Sequence, residues 1–162
     1  MSDLRIDVAD LLTHPGSRRP VSRVACVEGL AGRAARVEEP VALDLLLERV
    51  SDGIVARGTV RAHWSGECGV CLRPLTCDLE IEVGELYEPH PVEGDTYPLL
   101  GYQIDLEQLV LDSVLLELPI APTCASTGAE PCLPVTVITP DDAPLDDAPA
   151  DARWAVLSEL EL

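Results

Sequence analysis

The chain has 162 residues, a formal net charge of −18 and 47% hydrophobic residues, which suffices for a buried core. This length fits one domain plus a tail, and no apolar run approaches the roughly 20 residues that a membrane-spanning helix needs. The N-terminus opens with Asp3, Arg5 and Asp7 and lacks the pattern of a signal peptide. We therefore expect a cytoplasmic protein whose six cysteines stay reduced, as metal ligands or buried thiols.

The charge is distributed unevenly along the chain. Residues 1–73 contain ten arginines and ten acidic residues, whereas residues 74–162 contain only Arg153 against 19 acidic residues. Such a C-terminal half repels phosphate, which disfavours direct and extended contact with nucleic acid. It would attract a basic partner such as a ribosomal protein, although solubility alone is an alternative explanation.

The first elements are short. Residues 4–12 predict a short strand followed by a turn of helix, from their apolar spacing. Residues 14–20 predict a loop, since they include two prolines and a glycine. Residues 21–37 have no clear pattern, and we expect Val24, Cys26 and Leu30 to face the core.

Three alternating runs follow, at residues 41–48, 54–64 and 77–84. The Asp-Gly pair at 52–53 predicts a hairpin between the first two, because glycine adopts the positive φ of such a turn. The three runs together predict an antiparallel meander with one buried and one solvated face. Cys77 lies on the apolar face of the third run and is expected in the core.

A Cys-x-x-Cys sequence joins the second and third runs. Cys68 and Cys71, together with Cys124 and Cys132, form a candidate four-thiolate zinc set. Reduced thiols without metal, or a redox role, are the alternatives. A thioredoxin-like site is disfavoured, because its cysteine pair opens a helix after a parallel strand. His63 lies beside this turn and is a further candidate ligand.

Residues 105–118 have the strongest helical pattern, with Asp105 and Gln108 as a predicted capping pair. The helix is apolar beyond one face, so we expect the rest of the domain to cover it on more than one side; the alternative is that its second apolar face docks a partner. Acidic residues of this helix and two apolar residues near the C-terminus are candidate partner contacts: Asp105, Glu107, Asp112, Glu117, Trp154 and Leu157.

The predicted organisation is a single domain at 1–133, an acidic linker at 134–151 and a short docking helix at 152–162. The linker contains four prolines and five aspartates, a composition that cannot bury enough surface to fold. The sequence contains no Gly-rich phosphate loop, H-E-x-x-H or G-x-S-x-G motif, and we expect no enzymatic activity.

Several segments resemble the bacterial YceD family, the large ribosomal RNA subunit accumulation proteins. They are L-L-T-H-P-G-S-R-R from Leu11, G-E-C-G-V-C-L-R-P-L from Gly66, E-L-Y-E-P from Glu85, I-D-L-E-Q-L-V-L-D-S-V-L-L-E-L-P-I-A-P-T-C from Ile104, and D-A-R-W-A-V-L-S-E-L from Asp151. The last has Ala152 where the family usually has proline. These segments span nearly the whole chain in the family's order.

The resemblance implies a role in 23S ribosomal RNA accumulation and large-subunit assembly, with no established enzymatic activity. Family members commonly have a second cluster of the form C-x3-C-x3-C-x2-C-G. Cys124 and Cys132 match its first and third cysteines, whereas Gly128 and Val135 replace the other two. This departure leaves open whether the present chain retains a metal site.

We therefore predict an α+β fold, in which an antiparallel meander or small partly open barrel packs on one long buried helix and a short C-terminal helix. The predicted function is that of a non-enzymatic ribosome biogenesis factor that binds a basic large-subunit ribosomal protein or pre-ribosomal particle, with ribosomal RNA contacted indirectly. No membrane or small-molecule partner is expected. The alternative is a zinc- or thiol-dependent adaptor or redox protein centred on the Cys-x-x-Cys turn.

Overall fold

The computed structural model describes residues 4–38 and 40–132 of the chain. Its elements, in chain order, are β1 (Arg5–Asp7), α1 (Ala9–Leu12), β2 (Arg18–Ala25), β3 (Ala35–Val37), β4 (Val41–Arg49), β5 (Ile54–Glu67), β6 (Pro74–Glu88), β7 (Tyr97–Leu100), β8 (Gln103–Asp105) and α2 (Glu107–Glu117). The predicted linker and terminal helix lie outside these residues, so the division of the chain near residue 133 stays a prediction.

The eight strands form one curled, half-barrel sheet. Seven of them follow the order β1-β8-β7-β6-β5-β4-β2, and β3 pairs with the end of β5. Neighbours are antiparallel except β6 and β7, which run parallel where Tyr87 meets Tyr97. The 14 residues of β5 and the 15 of β6 make a long central hairpin, and its tip carries the Cys-x-x-Cys sequence.

The strand register confirms the pairing predicted for β4, β5 and β6. Leu43 lies opposite Val60, and Ala62 lies opposite Leu79. The connection between β4 and β5 comprises residues 50–53, and the Val50 N–H donates to the Gly53 carbonyl at 3.0 Å. The positive φ predicted for Gly53 does not occur; a Cβ there would instead lie 1.9 Å from the Tyr87 carbonyl oxygen of β6. The alternating apolar residues all point to one face, where they form the centre of the core: Val41, Leu43, Leu45, Leu47, Ile54, Ala56, Val60, Ala62 and Trp64.

The predicted α+β class with one long buried helix is wrong. Of the residues that the structure describes, 47% are in strands and only 12% in helices, so the sheet forms most of this part of the protein. Proline-containing segments that resemble loops in the sequence pair as strands, with Pro20 in β2 and Pro98 in β7. Pro20 is tolerated because β2 is an edge strand with one free side, whereas β7, which contains Pro98, lies between β6 and β8. Val24 and Cys26, expected in the core, are exposed along this edge.

Helix α2 packs on the central hairpin through Leu109, Val110 and Val114, which are buried. The predicted capping pair does not form. Asp105 Oδ1 instead accepts the Glu107 N–H at 2.9 Å, and Gln108 Nε2 donates to Asp112 Oδ1 at 2.8 Å. No helix in the described part of the chain is long and apolar enough to cross a membrane.

The opposite side of α2 is exposed, although the sequence predicted that the domain would cover it. Leu115 is 40% exposed and Leu116 is 84% exposed among the residues that the structure describes. The helix therefore contributes one apolar face to the core and presents a second apolar surface outward.

Candidate metal centre

The tip of the β5–β6 hairpin holds Cys68 and Cys71 in a tight turn. The Cys68 N–H donates to the Arg73 carbonyl at 2.8 Å, and the Leu72 N–H donates to the Cys68 carbonyl at 2.9 Å. Leu72 adopts a positive φ of 58°, which is uncommon for a residue with a side chain and turns the backbone back into β6. These bonds place both cysteines on the same side of the hairpin.

The segment after α2 brings the other two cysteines to this tip. The Gly69 N–H donates to the Pro122 carbonyl at 2.9 Å, which joins the hairpin turn to the chain just before Cys124. A turn follows in which Thr123 and Ser126 exchange side-chain and backbone hydrogen bonds. Cys124 is buried at the start of this turn, and the chain returns through Cys132.

The four sulfur atoms form a compact cluster. The Sγ atoms of Cys68, Cys71, Cys124 and Cys132 all lie within 4.8 Å of one another. The Cys68–Cys132 and Cys71–Cys124 Sγ distances are both 3.6 Å, far longer than the roughly 2.05 Å of a disulfide. Four sulfurs at about 2.3 Å from a tetrahedral zinc ion lie about 3.8 Å apart, which is close to these distances. The arrangement is compatible with metal binding.

The thiols of this cluster differ in acidity. Backbone N–H groups of Cys71 and Val70 lower the pKa of the Cys68 thiol to about 6, and the Val70 N–H lies 3.4 Å from its Sγ. Burial raises the pKa of Cys124 to about 12. The pKa of Cys132 is also raised, mainly by the hydrogen bond between Cys132 and Cys68. A thiolate is thus favoured at Cys68 over Cys124 and Cys132, and a divalent cation would supply the charge that lets these two ionise.

The remaining candidate ligands lie apart from the cluster. His63 Nδ1 is 2.9 Å from Asp78 Oδ1 on the outer face of the hairpin. Cys77 lies opposite Trp64 and packs, half-buried, against the core, as predicted. Among the described residues, the group of side chains close enough to hold a metal ion therefore comprises four cysteines.

The candidate partner contacts of α2 have different surroundings. Asp105 pairs with Arg5 at 3.1 Å, Asp112 accepts the Tyr97 hydroxyl at 2.8 Å, and Glu117 is exposed at the end of the helix. Glu107 is half-buried in the first turn. Trp154 and Leu157 lie outside the described residues. Partner binding by these six residues stays a prediction.

Sequence reasoning missed the contacts that close the site. The Gly69–Pro122 bond and the 3.4 Å contact of Arg73 Nη1 with the Glu130 carbonyl join segments that are more than 50 residues apart. Nothing in the local sequence of either segment signals the other. The available signal in the sequence was the spacing of the cysteines, with two residues between Cys68 and Cys71 and seven between Cys124 and Cys132. This spacing identifies the four cysteines but does not specify how their sulfur atoms are arranged.

The fold and the cluster define a mostly-β protein in which four thiols connect the tip of the central hairpin to the segment after the helix. The chain belongs to the YceD family, since the family model described as "Large ribosomal RNA subunit accumulation protein YceD" matches residues 56–161. The match includes all four cysteines of the cluster.

Mycobacterial proteins are similar to this chain. Uncharacterized proteins of Mycobacterium tuberculosis and Mycobacterium bovis are each 33% identical over 125 residues, which cover 73% of this chain and 60% of each relative. An uncharacterized protein of Mycobacterium leprae is 30% identical over 173 residues, covering 99% of this chain and 78% of the relative. The chain thus spans less than two thirds of the length of the first two. No solved structure matches it.

Proposed function

We propose that this protein is a non-enzymatic, cytoplasmic factor in large ribosomal subunit biogenesis, which supports 23S ribosomal RNA accumulation by binding a basic ribosomal protein or pre-ribosomal particle. The observation that carries the proposal is the excess of 18 negative charges in residues 74–162 of a member of this family. A surface of this sign attracts cationic protein and repels the phosphate backbone.

The arginines of the N-terminal half support the same mechanism, because many of them are paired with carboxylates. Arg61 contacts Asp44 at 2.7 Å and Glu80 at 3.6 Å across the outer face of the sheet. Four further arginines have a carboxylate partner within 3.5 Å: Arg5, Arg18, Arg19 and Arg36. Such pairing reduces the positive potential available to RNA, so contact with ribosomal RNA would be mainly indirect.

Zinc fits the cysteine cluster as a structural ion. The ion would be held by Cys68, Cys71, Cys124 and Cys132. Because these four ligands complete a tetrahedral site, no coordination position would remain open for a substrate. When bound, the ion would supply a cross-link between the β5–β6 tip and the segment after α2. This cross-link would fix α2 and its acidic residues relative to the sheet.

Sedimentation of cell extracts tests the proposed function. We expect the tagged protein to co-sediment with large-subunit precursors, and cells without it to accumulate less 23S ribosomal RNA. After nuclease treatment, the purified protein should still retain a basic ribosomal protein, whereas binding should weaken as salt rises. Tight binding to protein-free ribosomal RNA, with no retention of ribosomal proteins after nuclease treatment, would contradict the mechanism.

The alternative function, a thiol-dependent adaptor or redox protein, is favoured by a different observation. The Sγ atoms of Cys71 and Cys124 lie 3.6 Å apart, and backbone N–H groups lower the pKa of Cys68 to about 6, which favours a thiolate at this cysteine. Under this alternative, protein purified without reductant contains a disulfide within the cluster and no zinc. Mass spectrometry of the denatured, alkylated protein distinguishes the two. A zinc protein yields six alkylated cysteines after metal removal, whereas a disulfide within the cluster leaves four, because Cys26 and Cys77 also react.

A further inference from the structure

A groove lies between the segment before β7 and the outer side of α2. Its volume is about 850 Å³, which is sufficient for several side chains of a bound peptide. Carboxylates and two leucines line its walls: Glu85, Glu93, Asp95, Asp112, Leu115 and Leu116. No basic side chain lines it among the residues that the structure describes, so four negative charges face the groove without compensation.

The carboxylate at the centre of the groove is held in place. Asp112 accepts one hydrogen bond from the Tyr97 hydroxyl and one from Gln108 Nε2, each at 2.8 Å and each to a different oxygen. Burial, followed by the bond with Asp112, raises the pKa of Tyr97, which keeps this hydroxyl protonated as a donor. Each oxygen of Asp112 retains a free lone pair for a donor in the groove.

The opposite wall of the groove is also ordered. The backbone N–H groups of Asp95 and Thr96 both donate to the Val92 carbonyl at 3.0 Å, and the Val92 N–H donates to Thr96 Oγ1 at 2.7 Å. This turn fixes the backbone that carries Glu93 and Asp95. The wall is therefore arranged before a ligand binds, which lowers the entropy cost of binding.

The apolar part of the groove belongs to α2. Leu115 and Leu116 follow Asp112 by three and four positions, so all three side chains lie on one face of the helix. Leu116 is 84% exposed and Leu115 is 40% exposed. The face combines a fixed negative charge with an unburied aliphatic surface, and the helix leaves it outside the core.

We propose that this groove binds a segment of a protein partner that carries arginine or lysine side chains beside an aliphatic residue. The inference rests on the proposed function for the ribosomal nature of the partner. The cationic groups would contact the four carboxylates, and the aliphatic residue would pack on Leu115 and Leu116. Nucleic acid is disfavoured here, because its phosphates carry the same sign as the four carboxylates that line the groove.

Binding of a defined peptide to the full chain tests the proposal. The probe is a fluorescein-labelled, arginine-rich peptide with two leucines four positions apart, measured by anisotropy. Glu93→Gln/Asp95→Asn should weaken its binding roughly 2- to 30-fold, because two exposed ion pairs are lost. Leu116→Ser should weaken it about tenfold through lost apolar burial. A peptide with the leucines replaced by serine should bind the wild type and Leu116→Ser equally.

Matched variants control for charge and for exposed leucine. Glu28→Gln/Glu82→Gln removes the same charge from exposed positions outside the groove, and Leu100→Ser removes a leucine that is 73% exposed. Both should bind the peptide within about twofold of the wild type. The proposal is overturned if these controls weaken binding as much as the groove variants, or if the wild type does not bind because its own C-terminal segment or a second copy fills the groove.

The two proposals can fail separately. If the groove variants lose the peptide but wild-type protein never co-sediments with large-subunit precursors, the groove is supported and the ribosomal function is contradicted. If the groove variants co-sediment with these particles as well as the wild type does, the groove proposal fails and the ribosomal function stands.

Discussion

Replacing Cys71 by serine is expected to lower the free energy of unfolding by roughly 3 to 5 kcal/mol and to abolish stoichiometric zinc binding. The cluster joins segments more than 50 residues apart, so loss of one ligand releases the segment after α2 from the β5–β6 tip. The effect should be smaller than the about 10–16 kcal/mol of zinc-finger peptides, because the sheet has a core of its own. Urea unfolding and metal analysis of reduced protein measure both quantities.

Cys26→Ser is the matched control for this change. Cys26 is an exposed cysteine on the edge strand side of the sheet, outside the cluster, and its loss should change stability by less than about 0.5 kcal/mol. A chelator should reproduce the effect of Cys71→Ser on the wild type. If neither chelator nor variant changes the unfolding midpoint, and the wild type contains no zinc, the metal hypothesis is refuted.

Gly58→Ala is expected to destabilise the protein by about 2–4 kcal/mol, the second largest effect among these predictions. A Cβ atom at Gly58 would lie 2.1 Å from the Asp44 carbonyl oxygen and 2.9 Å from Leu45 Cα. Both are backbone atoms of β4, so the clash can be relieved only by moving β4 away from β5. The free energy of unfolding from urea titrations measures the loss.

Gly84→Ala provides a control from the partner strand of the same hairpin. Gly84 lies opposite Arg57, and a Cβ there meets only the Arg57 side chain, at 4.0 Å. The added methyl group should leave stability unchanged or raise it by up to about 1 kcal/mol, because alanine restricts the unfolded chain more than glycine does. Equal losses for the two variants would show that close backbone approach at Gly58 is not the cause.

The two expected effects concern the same hairpin. Gly58 lets β4 approach the middle of β5, whereas the cysteines lie where the far end of the hairpin meets the segment after α2. The hairpin therefore positions α2, whose inner face it covers through Leu109, Val110 and Val114. The position of the acidic groove on the outer side of α2 therefore depends on the β4–β5 pairing at Gly58 and on the cysteine cluster.

The sequence by itself determined the central strands, the identity of the four clustered cysteines and the family. The alternation in residues 41–48 and 54–64 can bury its apolar set on one face only, so the pattern specifies which side chains of β4 and β5 face the core. The register of Leu43 with Val60 reflects a four-residue connection at 50–53, which the Asp-Gly pair alone does not specify. The uneven distribution of charge between residues 1–73 and 74–162 is also evident from the sequence alone.

Only the tertiary structure decided the fold class and the arrangement of the site. Strand β1 pairs with β8 across about 100 residues, and no local pattern signals a pairing at that distance. Strands β2 and β7 contain prolines that resemble loop signals, although β2 pairs with β4 and β7 pairs with β6 and β8. The convergence of Cys124 and Cys132 on the β5–β6 tip depends on backbone bonds such as Gly69 to Pro122. The exposure of Leu116 depends likewise on which face of α2 the sheet covers, and the apolar pattern of the helix alone cannot specify that face.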